Sequence, residues 1–386
     1  MNAPREAANL LHVVADGAPG GGTTMVLGLI DDLIEARGWR PAVLSQPGSH
    51  IEREVRRRGL RFLPFDFFGP MGDPRMPFRL ARMLRELGRP LAHVHGLRAA
   101  HPLLSWPARG ALGPVLYTVH GVHQLHMPWP RALRELANVA ERRVIRRADR
   151  TVYVSEGDRR LSLEHRLFAD PARVDVVPNG VSFADLPERP DAPPEWDVVF
   201  VGRLVEAKGP VVAAAVLARL AASGLRCALV GGGPMRADCE ALLASVPGGG
   251  AVRLLGERPR AECLSILAAS RLALVTSQWE GLPLAPIEAM ALGVPVLAPA
   301  ISGLSEVVSD GETGRLLPAP TADDYAAAAA ALLADPSRLD AMARRAVARA
   351  RGHFDRARSS ERYAALYEGL LRGAPGWSAA CAGGAT

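Results

Sequence analysis

Short apolar runs alternate with segments of helical period along this chain, and the alternation breaks once at a proline-rich stretch before restarting. Strands are predicted at 10–14, 41–45, 60–64, 91–95, 114–119, 150–154 and 173–177, with helices between them, among them 23–36, 78–87 and 131–147. Residues 185–194 carry four prolines among charged side chains and read as a linker. Strands then resume at 197–201, 226–230, 252–255, 271–276 and 294–298, with helices at 211–223, 326–333 and 355–371. Runs apolar on both faces, separated by helices, belong to parallel sheets covered on each side. The expectation is therefore α/β: two tandem doubly wound domains of similar size. Such sheets bind ligands at the carboxyl ends of their strands, where the strand order reverses. Two of them in tandem are expected to face each other across a cleft, which suits an enzyme with two substrates. Residues 373–386 read as a disordered tail.

The chain has 386 residues, 48% of them hydrophobic and 22% charged, enough for two ordinary globular cores. Cys227, Cys239, Cys263 and Cys381 show no CxxC spacing, so the expectation is buried free thiols in a reducing cytoplasm. The amino terminus reads directly into the first strand without the pattern of a signal peptide, and no run is long and apolar enough to span a membrane. Charge is uneven. Residues 51–150 hold 19 Arg against 8 Asp and Glu, a net of +11.

Of the 46 Lys and Arg residues only Lys208 is a lysine. It lies in Gly202-Arg203-Leu204-Val205-Glu206-Ala207-Lys208-Gly209, between a predicted strand and a predicted helix. Backbone N–H groups at a helix start collect anions. A lysine adds a compact point charge that arginine's flat fork does not reproduce. Phosphate or pyrophosphate is the expected guest. Gly231-Gly232-Gly233-Pro234 follows the next strand and would allow close backbone approach to a ligand.

Glu280-Gly281-Leu282-Pro283-Leu284-Ala285-Pro286-Ile287-Glu288 sets two carboxylates eight positions apart. Proline belongs in a helix's first turn, so Glu280 is expected in a loop and Glu288 about one turn into a helix. Ionised carboxylates only accept hydrogen bonds, which suits sugar hydroxyls. A glycosidase acid and base would be the other assignment, but a hydrolase has no need of a neighbouring pyrophosphate grip.

In the first half, Gly20-Gly21-Gly22-Thr23-Thr24 opens a helix after the first strand and resembles a phosphate nest. It is not GxGxxG, because Met25 stands where the last glycine would be, and no acid ends the second strand, which disfavours nicotinamide and flavin chemistry. His120 ends the strand at 114–119 and is aimed toward the expected cleft. His93 and His95 share one strand face, but no third ligand is evident, so they read as cleft lining and not as a metal site.

Taken together, these residues resemble the retaining GT-B glycosyltransferases of family four, a fold of two Rossmann-like domains. The matching pieces are Gly20-Gly21-Gly22, Thr118-Val119-His120-Gly121, Val154-Ser155-Glu156, Val177-Pro178-Asn179-Gly180-Val181, Gly202-Arg203 with Lys208-Gly209, Gly231-Gly232-Gly233-Pro234, and Glu280 to Glu288 with Ala289-Met290-Ala291. The resemblance implies an acceptor-binding domain over 1–186, a nucleotide-sugar domain over 187–355, and a helix over 356–372 crossing back to the first. It implies that Arg203 and Lys208 bind a diphosphate, Glu288 the ribose and Glu280 a sugar hydroxyl. Backbone N–H groups of Leu282 and Leu284 would steady the donor, with Pro283 between them offering none. His120 would contact the donor sugar, and Gly21, Gly22, Gly202 and Gly232 would line the ligand. It implies no cofactor and no metal, the two cations serving instead. Thr23-Thr24 departs from the acidic residue many members carry there, which bears on the acceptor side.

The reaction implied is sugar transfer with retention from a UDP- or GDP-sugar to an acceptor hydroxyl. A sugar-nucleotide epimerase, a phosphorylase and a non-catalytic nucleotide-sugar binder are the alternatives. A phosphorylase would need a pyridoxal lysine, and Lys208 lies in the phosphate loop. The basic region holds Phe62, Phe65, Phe67, Phe68, Phe78, Trp106 and Trp129, with Arg53, Arg56, Arg57, Arg58 and Arg61 before the run and Arg75, Arg79, Arg82, Arg85 and Arg89 after it. This suits either an anionic membrane surface, and hence a lipid-linked or glycan acceptor at the cytoplasmic leaflet, or a solvated basic face with a small soluble acceptor. No nucleic-acid recognition motif accompanies the charge.

Overall fold

The computed structural model describes residues 9–69, 73–127 and 129–373. The amino-terminal pentapeptide, Cys381 and the tail beyond Gly373 lie outside them. The chain divides into two compact units, residues 1–178 with 356–386, and residues 179–355. The division falls at 178/179 and not at 186/187, so the proline-rich stretch belongs to the second unit. There Arg189 Nη1 donates to Gly293 O at 2.7 Å, which ties that stretch to the second unit's body.

Among the described residues the first unit holds seven strands: β1 (Leu10–Val14), β2 (Ala42–Ser45), β3 (Phe62–Pro64), β4 (Leu91–His95), β5 (Val115–Val119), β6 (Arg150–Tyr153) and β7 (Val174–Val176). Their order is β3-β2-β1-β4-β5-β6-β7, and every pairing is parallel. The order reverses between β1 and β4. Helices cover both faces, and β1, β4 and β5 are buried along their whole length. One cover is the last helix, Arg356–Arg372, which puts Tyr363 and Tyr367 into the core with Leu10, Leu29, Leu33 and Trp39. Arg356 Nη2 fixes its start by donating to Asp32 Oδ1 at 2.8 Å.

The second unit holds β8 (Trp196–Val201), β9 (Cys227–Val230), β10 (Arg253–Gly256), β11 (Ser270–Leu274), β12 (Val296–Pro299) and β13 (Gly314–Leu317), in the order β10-β9-β8-β11-β12-β13. These pairings too are parallel. The reversal lies between β8 and β11. Local sequence sets the helix starts: Thr321 and Asp324 form a reciprocal cap on the helix Ala322–Leu333. Cys227 and Cys239 are buried and Cys263 is half-buried, all three unbridged.

Among the described residues, no helix is long and apolar enough to cross a membrane. Three of the seven aromatics expected on the basic surface are core residues: Phe62, Phe65 and Phe67 are 8%, 3% and 2% exposed. Phe62 packs into one core cluster, and Phe65 and Phe67 into another. Phe68, Phe78 and Trp106 remain exposed, and Phe78 meets Trp106 edge-on at 5.7 Å. The first arginine cluster is also paired, Arg58 to Asp31 and Glu54, Arg56 to Glu52 and Arg57 to Glu54. The helix expected at 78–87 runs Met76–Leu84, and a left-handed turn at Gly88 and Arg89 ends the segment. Arg75, Arg79, Arg82, Arg85 and Arg89 nevertheless stay exposed.

Candidate functional site

In the second unit, the loops after β8 and β11 flank the point of strand reversal, where an open α/β sheet leaves room for a ligand. The β8 loop ends in a short 3₁₀ turn, Glu206–Lys208, then Gly209 in a left-handed conformation (φ 60°), then the helix Pro210–Ala222. Gly209 has two reasons to be glycine: its φ, and the carbonyl of Thr276, which a Cβ there would strike. Thr276 Oγ1 donates to the carbonyls of Lys208 and Gly209 at 2.9 Å each, and Gln278 N donates to Ala207 O at 2.9 Å. The two loops are thus stitched together by the Thr276 hydroxyl and one backbone bond.

That stitching places Lys208 against Glu280. Lys208 Nζ donates to Glu280 Oε1, which also accepts from Ser277 Oγ at 2.6 Å. Both side chains are largely covered, at 26% and 11% exposure. Arg203 is exposed and makes no ion pair among the described residues. Pro210 brings no N–H to the first turn of its helix, so that turn offers the amides of Val211 and Val212.

The triple glycine has a different cause from the one expected. A Cβ on Gly231 would strike the Gly202 carbonyl and one on Gly233 the Leu204 carbonyl. Leu204 N donates to Gly232 O at 2.8 Å, and Gly202 N to Val230 O at 3.0 Å. The close approach is to the neighbouring loop after β8, against which these glycines pack.

Glu280 lies in the β11 loop, and Glu288 is one turn into the helix Leu284–Ala291, as the prolines dictate. Pro283 caps that helix and Leu284 opens it with a free first-turn amide. Asn179 Nδ2 donates to Leu282 O at 2.7 Å and holds the loop. Glu288 does not stand alone: Oε1 accepts from Arg260 Nη2 at 2.8 Å and Nε at 3.0 Å. Arg260 opens its own helix, Arg260–Ala268, 28 positions earlier, and no local pattern marked it.

In the first unit, Gly21 and Gly22 are exposed at the start of the helix Gly21–Arg37, next to β1. Thr23 is buried there, its hydroxyl donating to Ala18 O at 2.7 Å. His120 follows β5 and is half-buried; His95 Nδ1 lies 3.1 Å from its Nε2. Burial, and then the charge of His123, hold His120 down to about 4. The third histidine not evident in sequence is His12, in register with His93 across β1 and β4. One nitrogen from each of His12, His93 and His95 falls within 4.8 Å of the others. Zinc–imidazole bonds of 2.0–2.1 Å put tetrahedral ligands only roughly 3.3 Å apart. Five of the six ring nitrogens already have partners: His12 Nδ1 with His95 Nε2 at 3.2 Å, His95 Nδ1 with His120, and His93 with Tyr367 Oη at 2.5 Å and Thr118 Oγ1 at 2.7 Å. The cluster is a hydrogen-bonded network.

Two Rossmann-like units, each of parallel strands with one reversal of order, make a fold of the GT-B type, the fold of glycosyltransferases. The whole-chain likeness agrees: sucrose-phosphate synthase from Thermosynechococcus elongatus superimposes with a TM-score of 0.79 at 23% identity, over 94% of this chain and 99% of that one. Anabaena HepE in complex with UDP-glucose does so at 0.76 and 18% identity, over 93% and 99%. Residues 184–350 match the family of glycosyl transferases group 1, and residues 20–180 the glycosyl transferase 4-like domain. A D-inositol 3-phosphate glycosyltransferase of Nocardia farcinica is 36% identical over 324 residues, 75% of this chain and 70% of that protein. The chain belongs to the group 1 glycosyltransferases, and retention of configuration is consistent with that membership.

Proposed function

We propose that this enzyme transfers a hexosyl group from a nucleoside-diphosphate sugar, UDP- or GDP-linked, to an acceptor hydroxyl, without a metal. The observation that carries this reading is the lysine–glutamate pair at the β8/β11 reversal, with Arg203 unpaired on the same loop. A diphosphate there meets Arg203, Lys208 and the amides of Val211 and Val212. Glu288 accepts from the ribose diol, Glu280 from a sugar hydroxyl, and the Leu282 and Leu284 amides steady the donor. His120 takes a donor-sugar hydroxyl. As the sugar–phosphate bond breaks, negative charge grows on the departing diphosphate, and the cations stabilise it more than they stabilise the bound donor. The acceptor hydroxyl delivers its proton to the leaving phosphate on the face it departs from, which retains configuration.

The experiment is a thermal-shift survey of UDP- and GDP-sugars, followed by NMR of the product's anomeric centre. Absence of any shift, or release of nucleotide without an acceptor as an epimerase would give, rejects the reading.

For the acceptor, the exposed Phe78–Trp106 pair beside Arg75, Arg79 and Arg82 favours an anionic lipid surface and a lipid-linked or glycan acceptor at the inner face of the cell membrane. A phosphorylated polyol in solution is the second reading, favoured by the Nocardia relative's description. Sedimentation with anionic vesicles, lost on reversing Arg75, Arg79 and Arg82 to Glu and on raising salt, supports the first. Protein left in the supernatant at low salt supports the second.

A further inference from the structure

The histidines of the first unit form an ordered chain. His12 Nδ1 meets His95 Nε2 at 3.2 Å, and His95 Nδ1 meets His120 Nε2 at 3.1 Å. The rings stack along the same path, with centroids 5.5 Å and 5.3 Å apart. His12 is fully buried, His95 is 6% exposed and His120 opens toward the surface. His93 lies beside the chain and packs on His95 at 3.9 Å, but both its nitrogens are engaged by Tyr367 and Thr118. Desolvation holds all four imidazoles neutral near pH 7.

A neutral imidazole has one donor nitrogen and one acceptor nitrogen, so the first bond of the chain fixes the second. Only two polarities exist. If donation runs outward from His12, then His95 donates Nδ1–H to His120 Nε2, and His120 keeps its own proton on Nδ1. If donation runs inward, His12 must carry its proton on Nε2. Among the described residues, His12 Nε2 is buried without a partner. Inward donation therefore strands an N–H in the core, whereas outward donation leaves only a bare lone pair. Orphaned buried N–H groups are the rarer defect.

We propose that His12 and His95 are positioning residues that lock His120 as the Nδ1–H tautomer, so that it meets the donor sugar as a hydrogen-bond donor and not as a base. This rests on the reading of His120 as a sugar contact, and it adds what that contact is: an N–H offered to a sugar hydroxyl oxygen. It also agrees with the absence of a side-chain base from the proposed transfer.

The test is long-range ¹H–¹⁵N correlation of the full-length protein labelled with ¹⁵N-histidine at neutral pH, with His120 assigned by His120→Asn. The expected spectrum shows a protonated, pyrrole-type Nδ1 and an unprotonated, pyridine-type Nε2 on His120. His95→Phe should turn this into a mixture of tautomers and lower kcat about 10- to 100-fold, the range for lost orienting partners, with KM for the donor little changed. His95→Gln, which can both donate and accept, should restore part of the loss. A pyrrole-type Nε2 on wild-type His120 overturns the proposal, as does a tautomer unchanged in His95→Phe. Stoichiometric zinc in the purified protein also overturns it in favour of a metal site. The spectrum of the wild type decides even if the variants fail to fold. Should His120→Ala leave turnover normal while the spectrum is as expected, the sugar contact fails and the relay stands.

Discussion

Lys208 and Glu280, 72 positions apart, are a contact pair in the second unit, and Ser277 shares the same carboxylate oxygen. The pair lies where the Thr276 hydroxyl and the Gln278 amide join the two loops, so its geometry is set by these bonds between the loops. Lys208→Ala should cut turnover by about two to four orders of magnitude, as for lost stabilisation of a departing charge. Lys208→Arg should recover only part, because a planar fork does not replace a point charge. A Lys208→Ala/Glu280→Ala double-mutant cycle measured on kcat checks the coupling. Additive losses would mean that the two act separately.

Gly209 carries that geometry. Gly209→Ala places a Cβ against the Thr276 carbonyl at a left-handed φ, a combination that costs about 1–3 kcal/mol from the backbone strain alone. The melting temperature should fall, and turnover should fall further than the lost folded fraction explains. Retained activity in a destabilised but folded variant would detach the loop's position from function.

Glu288 is held by Arg260. Calorimetry with the nucleotide alone should show weaker binding in Glu288→Ala and a smaller loss in Arg260→Ala. The double variant should lose less than the sum, since the residues act as a unit. Glu280→Ala should leave nucleotide affinity intact while lowering turnover. Equal loss of nucleotide affinity in Glu280→Ala and Glu288→Ala would refute the division between sugar and ribose.

Activity should survive exhaustive chelation, because Arg203 and Lys208 supply the positive charge. Loss on chelation with rescue by magnesium or manganese would overturn the two-cation account.

Acid should unfold the first unit early. Desolvation holds His12 at about 3 and lowers His93 and His95 well below 6.5. Neutral in the fold and protonated when unfolded, they stabilise fully above pH 6.5 and lose that contribution as pH falls toward 4. Burial raises Glu141 to about 7, the opposite sign: its contribution is complete at low pH and is lost as pH rises through 7. Four histidines, counting His120 held down to about 4, less one carboxyl leave about three protons taken up on unfolding near pH 5.5. Urea melts between pH 7 and 5 measure this, and a flat profile would contradict the buried-network account.

Much of the fold was legible because strands buried on both faces, such as β1, β4 and β5, are continuous apolar runs, and twelve of the thirteen strands among the described residues stood out in the sequence. β13 did not: its Gly314-Arg315-Leu316-Leu317 is short and half-buried at a sheet edge. Lys208, Glu280 and Glu288 were legible from residue type and from proline placement. Arg260 was not, because its role comes from a tertiary pairing with no local period. His12 sat within an unremarkable apolar run. Its meaning required the doubly wound order, which sets β1 beside β4 and so His12 beside His93. The triple glycine was read as room for a ligand because sequence shows a need for space and not what fills it.

The last helix has a bearing on how the chain is made. His93 receives Tyr367 from 274 positions downstream, and one core cluster of the first unit is filled by Tyr363 and Tyr367. Residues 179–355 contain their entire sheet and return the chain beside its own start, with Val181 N donating to Phe354 O at 2.9 Å. During synthesis, therefore, the unit encoded second has everything it needs before the unit encoded first does. The amino-terminal sheet has all its strands by then, yet the cluster on one of its faces gains Tyr363 and Tyr367 only with the last helix, and a truncation there uncovers that cluster.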